Sequence, residues 1–241
     1  VDHHFPGDIP QHANLTAIIN ESPEVCTAAL VNGYLKGRHL DWAVTGAFGD
    51  NLHDTARTLA KGLTITAEDL SSLEELGTYI NYNGYGPAIE DLHFDPKELY
   101  LRLYAAQGPL DFVRNSPDFE KLSTGYREDM ARAEALQPLH ANPTSAVFLL
   151  PEEAWARRVS GVYSNDLATN NPTRAHAVLT LNAKGNYLIS VRAPMTNKQG
   201  AAELCMQFPT GGGRAGAAGI NDLPLDRLQD FVAAFERAYA G

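Results

Sequence analysis

Gly211-Gly212-Gly213-Arg214-Ala215-Gly216-Ala217-Ala218-Gly219 decides how the second half of this chain is read. Three consecutive glycines put no side chain over their backbone, so their N–H groups are open to a phosphate or carboxylate. Arg214 follows directly and offers a planar, permanently charged fork for phosphate oxygens. The small residues at 215–219 imply tight backbone packing behind the run. A flexible glycine linker is the competing reading, but linkers carry Ser and Pro and are not followed by strand and helix patterns.

At the other end of the sequence stands Val1-Asp2-His3-His4. A β-branched residue followed by Asp-His-His reads as the end of a buried strand that delivers one acid and two imidazoles to a cleft, the edge where open α/β sheets bind ligands. Imidazole is a common ligand of transition metals, and a neighbouring carboxylate fixes its tautomer and raises its basicity. Taken alone, two adjacent histidines near a terminus also fit a tag remnant or a solvated loop.

Taken together, an Asp-His-His triplet at the front and a Gly-Gly-Gly-Arg-x-x-Ala-Ala-Gly run (215–216 as x-x) at the back resemble the DHH/DHHA1 phosphoesterase superfamily. The resemblance covers essentially the whole chain, in the family order of metal domain, helical connector and substrate-binding domain. It implies an α/β fold. Residues 1–115 form part of a parallel-sheet DHH metal domain, 116–143 a helical connector, and 144–241 an α/β DHHA1 domain with a mixed sheet. The family carries two further acidic motifs upstream of Asp-His-His. The resemblance therefore implies that about 70–90 residues, the size of two or three βα units, precede Val1 in a longer protein.

Composition fits this reading. The chain has 241 residues, 44% hydrophobic and 9% aromatic, enough for two modest domains. No apolar run approaches the ~18 residues of a membrane span, and no signal peptide is visible. Cys26 and Cys205 lie in different halves and read as two reduced, buried thiols of a cytoplasmic protein rather than a zinc site. The formal net charge of −10 argues against general adhesion to nucleic acid. That charge is uneven: residues 1–143 hold 10 Lys+Arg and 21 Asp+Glu (net −11), and residues 144–241 hold 9 and 8 (net +1). An acidic half suits divalent cations. The other half offers Arg157, Arg158, Arg174, Arg192, Lys198 and Arg214 as anion contacts, of which Arg192 and Arg214 alone sit in a motif.

Local signals place the elements. Ser22-Pro23 predicts a helix start running to Gly37. A second helix is expected from about Asp41. Thr66-x-x-Asp69 resembles a capping box for a helix to about Leu76, and Asp95-Pro96-x-Glu98 for one to about Ala106. Residues 77–95, with Asn81-Tyr82-Asn83-Gly84-Tyr85-Gly86-Pro87, read as an ordered loop. Phe119, Leu122, Tyr126 and Met130 mark a long helix over 117–136. Beyond the boundary at His140–Pro143, a strand is expected at 146–150, a helix at 158–169, and a hairpin from His176–Leu181 and Tyr187–Val191 across Ala183-Lys184-Gly185-Asn186. A short helix at 200–207 and a final helix after Pro224 complete the pattern.

The resemblance assigns roles to residues. His3 ligates a metal, and Asp2 orients its imidazole. His4 bonds the scissile phosphate and helps neutralise developing charge, so His4 and Asp2 are the catalytic pair. Gly46-x-x-x-Asp50 matches the family's last metal motif, which usually ends Asp-Thr where this chain has Asp50-Asn51. Asp54-Thr55 matches that dipeptide without the glycine spacing, and Asp50 is preferred. Ser190-x-Arg192 matches a substrate-contacting strand. Gly211, Gly212, Gly213 and Arg214 form the phosphate loop, with Arg214 where most members have His. The cofactor implied is Mn²⁺ (or Mg²⁺) in a two-metal site. The implied partner is a small phosphate-containing substrate, including short single-stranded nucleic acid, with no membrane and with a homodimer allowed. The alternative is a non-catalytic nucleotide- or polyphosphate-binding module of the same family.

Overall fold

The computed structural model describes residues 1–86 and 88–240; Pro87, within the expected 77–95 loop, and Gly241 lie outside it. The chain packs as two units. One comprises Val1–Asn81 with Phe94–Thr124, and the other Tyr82–His93 with the chain from Gly125 onward. This grouping differs from the expected divisions at 115 and 143.

The first unit is helical: α1 (Thr27–Tyr34), α2 (Leu40–Gly49), α3 (His53–Ala60), α4 (Ala67–Tyr82), α5 (Pro96–Ala105), α6 (Pro109–Asn115) and the first turns of α7 (Pro117–Glu134). Val44, Ala47 and Phe48 of α2 form a core with Ala56 and Ala60 of α3, Leu73 of α4 and Cys26. The parallel pairing expected at the start of the chain is a single bridge between Asp2 and Ile19 among the described residues. Thr66 and Asp69 cap α4 reciprocally, each backbone N donating to the other's side chain at 3.1 Å, as the spacing predicts. Asp95 accepts from Lys97 N at 2.8 Å and starts α5.

Two expectations change. Ser22-Pro23 makes a turn, with Val25 N donating to Ser22 O at 3.1 Å. The helix begins only at Thr27, whose N–H is taken by His3 Nδ1 at 3.1 Å. Gly77 does not end α4, which runs five residues further. A β-carbon there would strike the Thr45 carbonyl oxygen and lie 2.8 Å from Gly49 N. Gly77 is therefore present to let two helix backbones cross, not to stop one.

In the second unit, β1 (His140–Ala141), β2 (Ser145–Leu149), β3 (Ala175–Leu181), β4 (Tyr187–Arg192), β5 (Gly211–Arg214) and β6 (Ala217–Leu223) form one mixed sheet in the order β1-β2-β3-β4-β6-β5. The pair β2–β3 is parallel, joined by α8 (Ala154–Asn170) as a crossover. α8 covers one face, with Val159, Val162 and Tyr163 against Ala146, Phe148 and Val178. α9 (Ala201–Cys205) and α10 (Leu228–Ala238) cover the other, with Phe231 and Phe235 against Val147, Ala177 and Leu179. Both cysteines are buried and free. No helix among the described residues is long and apolar enough to cross a membrane.

The glycine run is an edge strand rather than a loop. Gly211 to Arg214 pair with Ile220 to Ala217 in antiparallel register. A side chain on Gly211 would enter the Cys205 carbonyl, and Gly213 combines φ +144° with backbone contact to Ala218. Close packing therefore dictates these two glycines, whereas Gly212 faces open space.

Gly77→Ala is expected to lower the unfolding free energy by about 2–3 kcal/mol, the scale of overpacking. Gly33→Ala, at a helical position with nothing within 4 Å of the added carbon, should raise it by up to about 1 kcal/mol. Urea unfolding of the two variants checks both signs. A second expectation concerns His176, which is 1% exposed on β3. Burial, aided by the Arg174 charge, pushes its pKa down to about 4. The unfolded chain therefore takes up this proton first. The stability contributed by neutral His176 is complete above about pH 6.5 and is lost as pH falls toward 4, for a total of about 3 kcal/mol. Below pH 4 this group causes no further loss. The unfolding free energy of His176→Leu should be flatter across that window.

Candidate metal centre

Asp2, His3 and His4 follow one another where the start of the chain bends, but their surroundings differ. His3 lies against the N-terminus of α1. Its Nδ1 accepts from the Thr27 backbone N–H at 3.1 Å and sits 2.9 Å from Thr27 Oγ1. Asp50 caps the C-terminal end of α2, where the helix dipole already concentrates negative charge. His3 Nε2 lies 3.2 Å from Asp50 Oδ2, but their orientation does not make a hydrogen bond, and the buried Nε2 has no hydrogen-bond partner. Gly46 gives α2 its approach to α1, since a β-carbon there would stand 2.5 Å from Ala28 Cβ. His3, Thr27, Gly46, Asp50 and Gly77 line one cleft of about 300 Å³ with Trp42.

This donor set fits a divalent cation. Two donors cis on an octahedral ion, each bound at about 2.1 Å, stand about 3.0 Å apart. An imidazole nitrogen and a carboxylate oxygen at 3.2 Å without a hydrogen bond between them match that separation. A mixed nitrogen and oxygen set suits Mn²⁺. Donor atoms of Asp2, His3 and His4 also lie within 4.8 Å of one another, although one oxygen of Asp2 is already engaged.

That oxygen, Asp2 Oδ1, accepts from His3 N at 2.7 Å, His4 N at 3.2 Å and His4 Nδ1 at 2.9 Å. The bond from His4, first of all, and these N–H donors hold the Asp2 carboxyl well down, at about 2. Asp2 thus stays ionised and fixes the His4 ring, not the His3 ring as expected. Thr27 takes that place at His3. No motif marks Thr27 in the sequence, and it emerges only from the path of the chain before α1. Asp54, the alternative to Asp50, is exposed in the first turn of α3.

The expected substrate contacts belong to the second unit. Arg192 is half-buried; its Nε donates to Asn165 Oδ1 at 2.9 Å and a terminal nitrogen to Ser190 Oγ at 2.9 Å. Both partners are neutral, and among the described residues no carboxylate pairs with it. Burial pushes its pKa down from the usual guanidinium range. Arg214 is exposed at the end of β5. Arg157 and Arg158 are committed elsewhere, to Asp91 at 2.6 Å and Asp129 at 2.7 Å. Arg174 donates to Ser145 O at 3.2 Å.

Solved structures share this architecture. PggH, a pGpG-specific phosphodiesterase from Vibrio cholerae, superposes with a TM-score of 0.56 at 14% identity, over 92% of this chain and 76% of its own. RecJ from Thermus thermophilus in complex with Mn²⁺ gives 0.56 at 18% identity, over 88% of this chain and 34% of its own. This chain shares the fold of PggH and RecJ. At these identities the likeness speaks for fold, and this chain spans only about a third of that RecJ. No family model matches the chain, and no curated protein matches it. Within that fold, His3 and Asp50, the two expected metal donors, are brought together, and Asp2 and His4 form a separate bonded pair.

Proposed function

We propose that this chain is part of a divalent-metal-dependent phosphoesterase that hydrolyses a phosphodiester or phosphoanhydride in a small anionic substrate: a short oligonucleotide, a cyclic dinucleotide or a polyphosphate. The observation that carries the reading is the buried His3 Nε2, which makes no hydrogen bond, 3.2 Å from the Asp50 carboxylate. The RecJ structures with Mn²⁺ and Mg²⁺, and the activity in the name of PggH, support it.

His3 Nε2 and Asp50 would hold Mn²⁺ or Mg²⁺. When bound, the metal supplies Lewis-acid polarisation of a phosphoryl oxygen and lowers the pKa of a water. The remaining work belongs to side chains. Ionised Asp2 accepts the Nδ1 proton of His4 and fixes that ring, which leaves His4 Nε2 to bond a phosphoryl oxygen or carry a proton at the scissile group. Arg192 offers a guanidinium whose present partners are neutral, which suits a phosphate oxygen. Arg214 adds an exposed permanent charge at the end of the glycine strand.

Calorimetric titration with Mn²⁺ tests the centre. Wild-type chain should bind Mn²⁺, His3→Ala should abolish binding, and Asp50→Asn should weaken it at least tenfold. Mn²⁺ binding that survives both substitutions would sink the assignment. The substrate side is read separately with pGpG and tripolyphosphate as probes. Arg192→Gln should weaken probe binding by about 10–100-fold, the value of a charged hydrogen bond, and leave Mn²⁺ affinity unchanged. Probe binding without turnover in the metal-loaded protein would favour a binding module over an enzyme.

A further inference from the structure

His3 Nδ1 has two neighbours that make opposite demands. The Thr27 backbone N–H, at 3.1 Å, can only donate. While that bond exists Nδ1 must present its lone pair, and a neutral His3 carries its proton on Nε2, the atom 3.2 Å from Asp50. An imidazole that ligates a metal through Nε2 needs the reverse, with the proton on Nδ1 and an acceptor to receive it. The Thr27 hydroxyl, 2.9 Å from Nδ1, both donates and accepts. This hydroxyl can therefore serve both tautomers, which the backbone N–H cannot.

We infer that Thr27 is the positioning residue that lets His3 move its proton from Nε2 to Nδ1 when a divalent cation binds. The inference rests on the metal reading of His3 and Asp50. Proton count does not change: Nε2 gives up one proton to solvent, and Nδ1 takes one and donates it to Thr27 Oγ1. The backbone N–H contact is given up at the same time. The geometry of α1 makes this specific, because Thr27 is the first residue of the helix and presents N–H and hydroxyl to the same ring nitrogen. Thr27→Val keeps the shape and the backbone donor but removes the acceptor, which pins His3 in the non-ligating tautomer. Thr27→Ser keeps the hydroxyl.

Two measurements test this on the full chain. In calorimetry, Thr27→Val should lower Mn²⁺ affinity by about 10–100-fold, the usual loss when a ligand's orienting partner goes. Thr27→Ser should stay near wild type, and thermal melting should show all three proteins folded alike. In long-range ¹H–¹⁵N NMR of the histidine rings, His3 should carry its proton on Nε2 without metal and on Nδ1 with saturating diamagnetic Mg²⁺. Wild-type Mn²⁺ affinity in folded Thr27→Val, or an Nε2 proton retained in the Mg²⁺ complex, overturns the inference while His3→Ala still reports on the metal site. If wild type binds no Mn²⁺, the metal reading fails and this inference fails with it.

Discussion

The approach of α2 to its neighbours is the constraint on which the candidate centre depends. Gly46 admits α1 at Ala28, and Gly49 and Gly77 admit α4. Each glycine inside a helix costs about 1 kcal/mol of propensity. Burying the adjacent Val44 and Phe48, which are 0% and 2% exposed, contributes about 1.5–3 kcal/mol apiece. The net effect is a short, tightly seated helix whose last turn delivers Asp50. A carboxylate at a helix C-terminus is unfavourable for the helix alone. Its Oδ2 stands 3.2 Å from His3 Nε2, the pairing on which the proposed metal site rests.

His3 and His4 illustrate how adjacent identical residues acquire different chemistry. Their rings lie 4.0 Å apart and tilted by 38°, yet the His3 side chain is 9% exposed and that of His4 62%. The chain bends at His3 and His4, so the two rings stay close while one enters the cleft and the other stays in solvent. Asp2 follows the second. Its engaged oxygen is occupied by two backbone N–H groups and the His4 ring, which leaves His3 to find its orienting group on α1.

Much of this was legible in the sequence because it depends on local rules. The Thr66/Asp69 and Asp95 caps, the hairpin around Gly185 with its φ of +78°, and the final amphipathic helix all appear where spacing puts them. The mixed sheet of the second half follows from their order. What local rules miss is what distant backbone imposes. Gly77 reads as a stop and proves to be a crossing point. Gly211 and Gly213 read as an open loop and prove to be a strand packed against Cys205 and Ala218. Ser22-Pro23 has the right residues for a helix start, but a histidine from the chain's beginning satisfies the N–H of Thr27 and sets the start there. For the same reason no spacing identifies Thr27 or Asn165, which act through contacts 24 and 27 residues away in sequence.

The second unit shows how this fold treats arginines whose charge it needs to neutralise. Arg157 meets Asp91 through two nitrogens, at 2.6 and 2.9 Å, and Arg158 meets Asp129 while also donating to the Asp91 carbonyl at 2.6 Å. These are geometries that offset the cost of desolvating a guanidinium. Arg192 is held with equal care, by Asn165 and Ser190, but by neutral oxygens only. Two neutral acceptors fix the direction of the fork without cancelling its charge, while burial works against the charged form. For stability alone a carboxylate at position 165 would serve better than an amide. An oriented cation with neutral partners is what the proposed phosphate contact needs, and it separates Arg192 from the neighbouring arginines with which the sequence groups it.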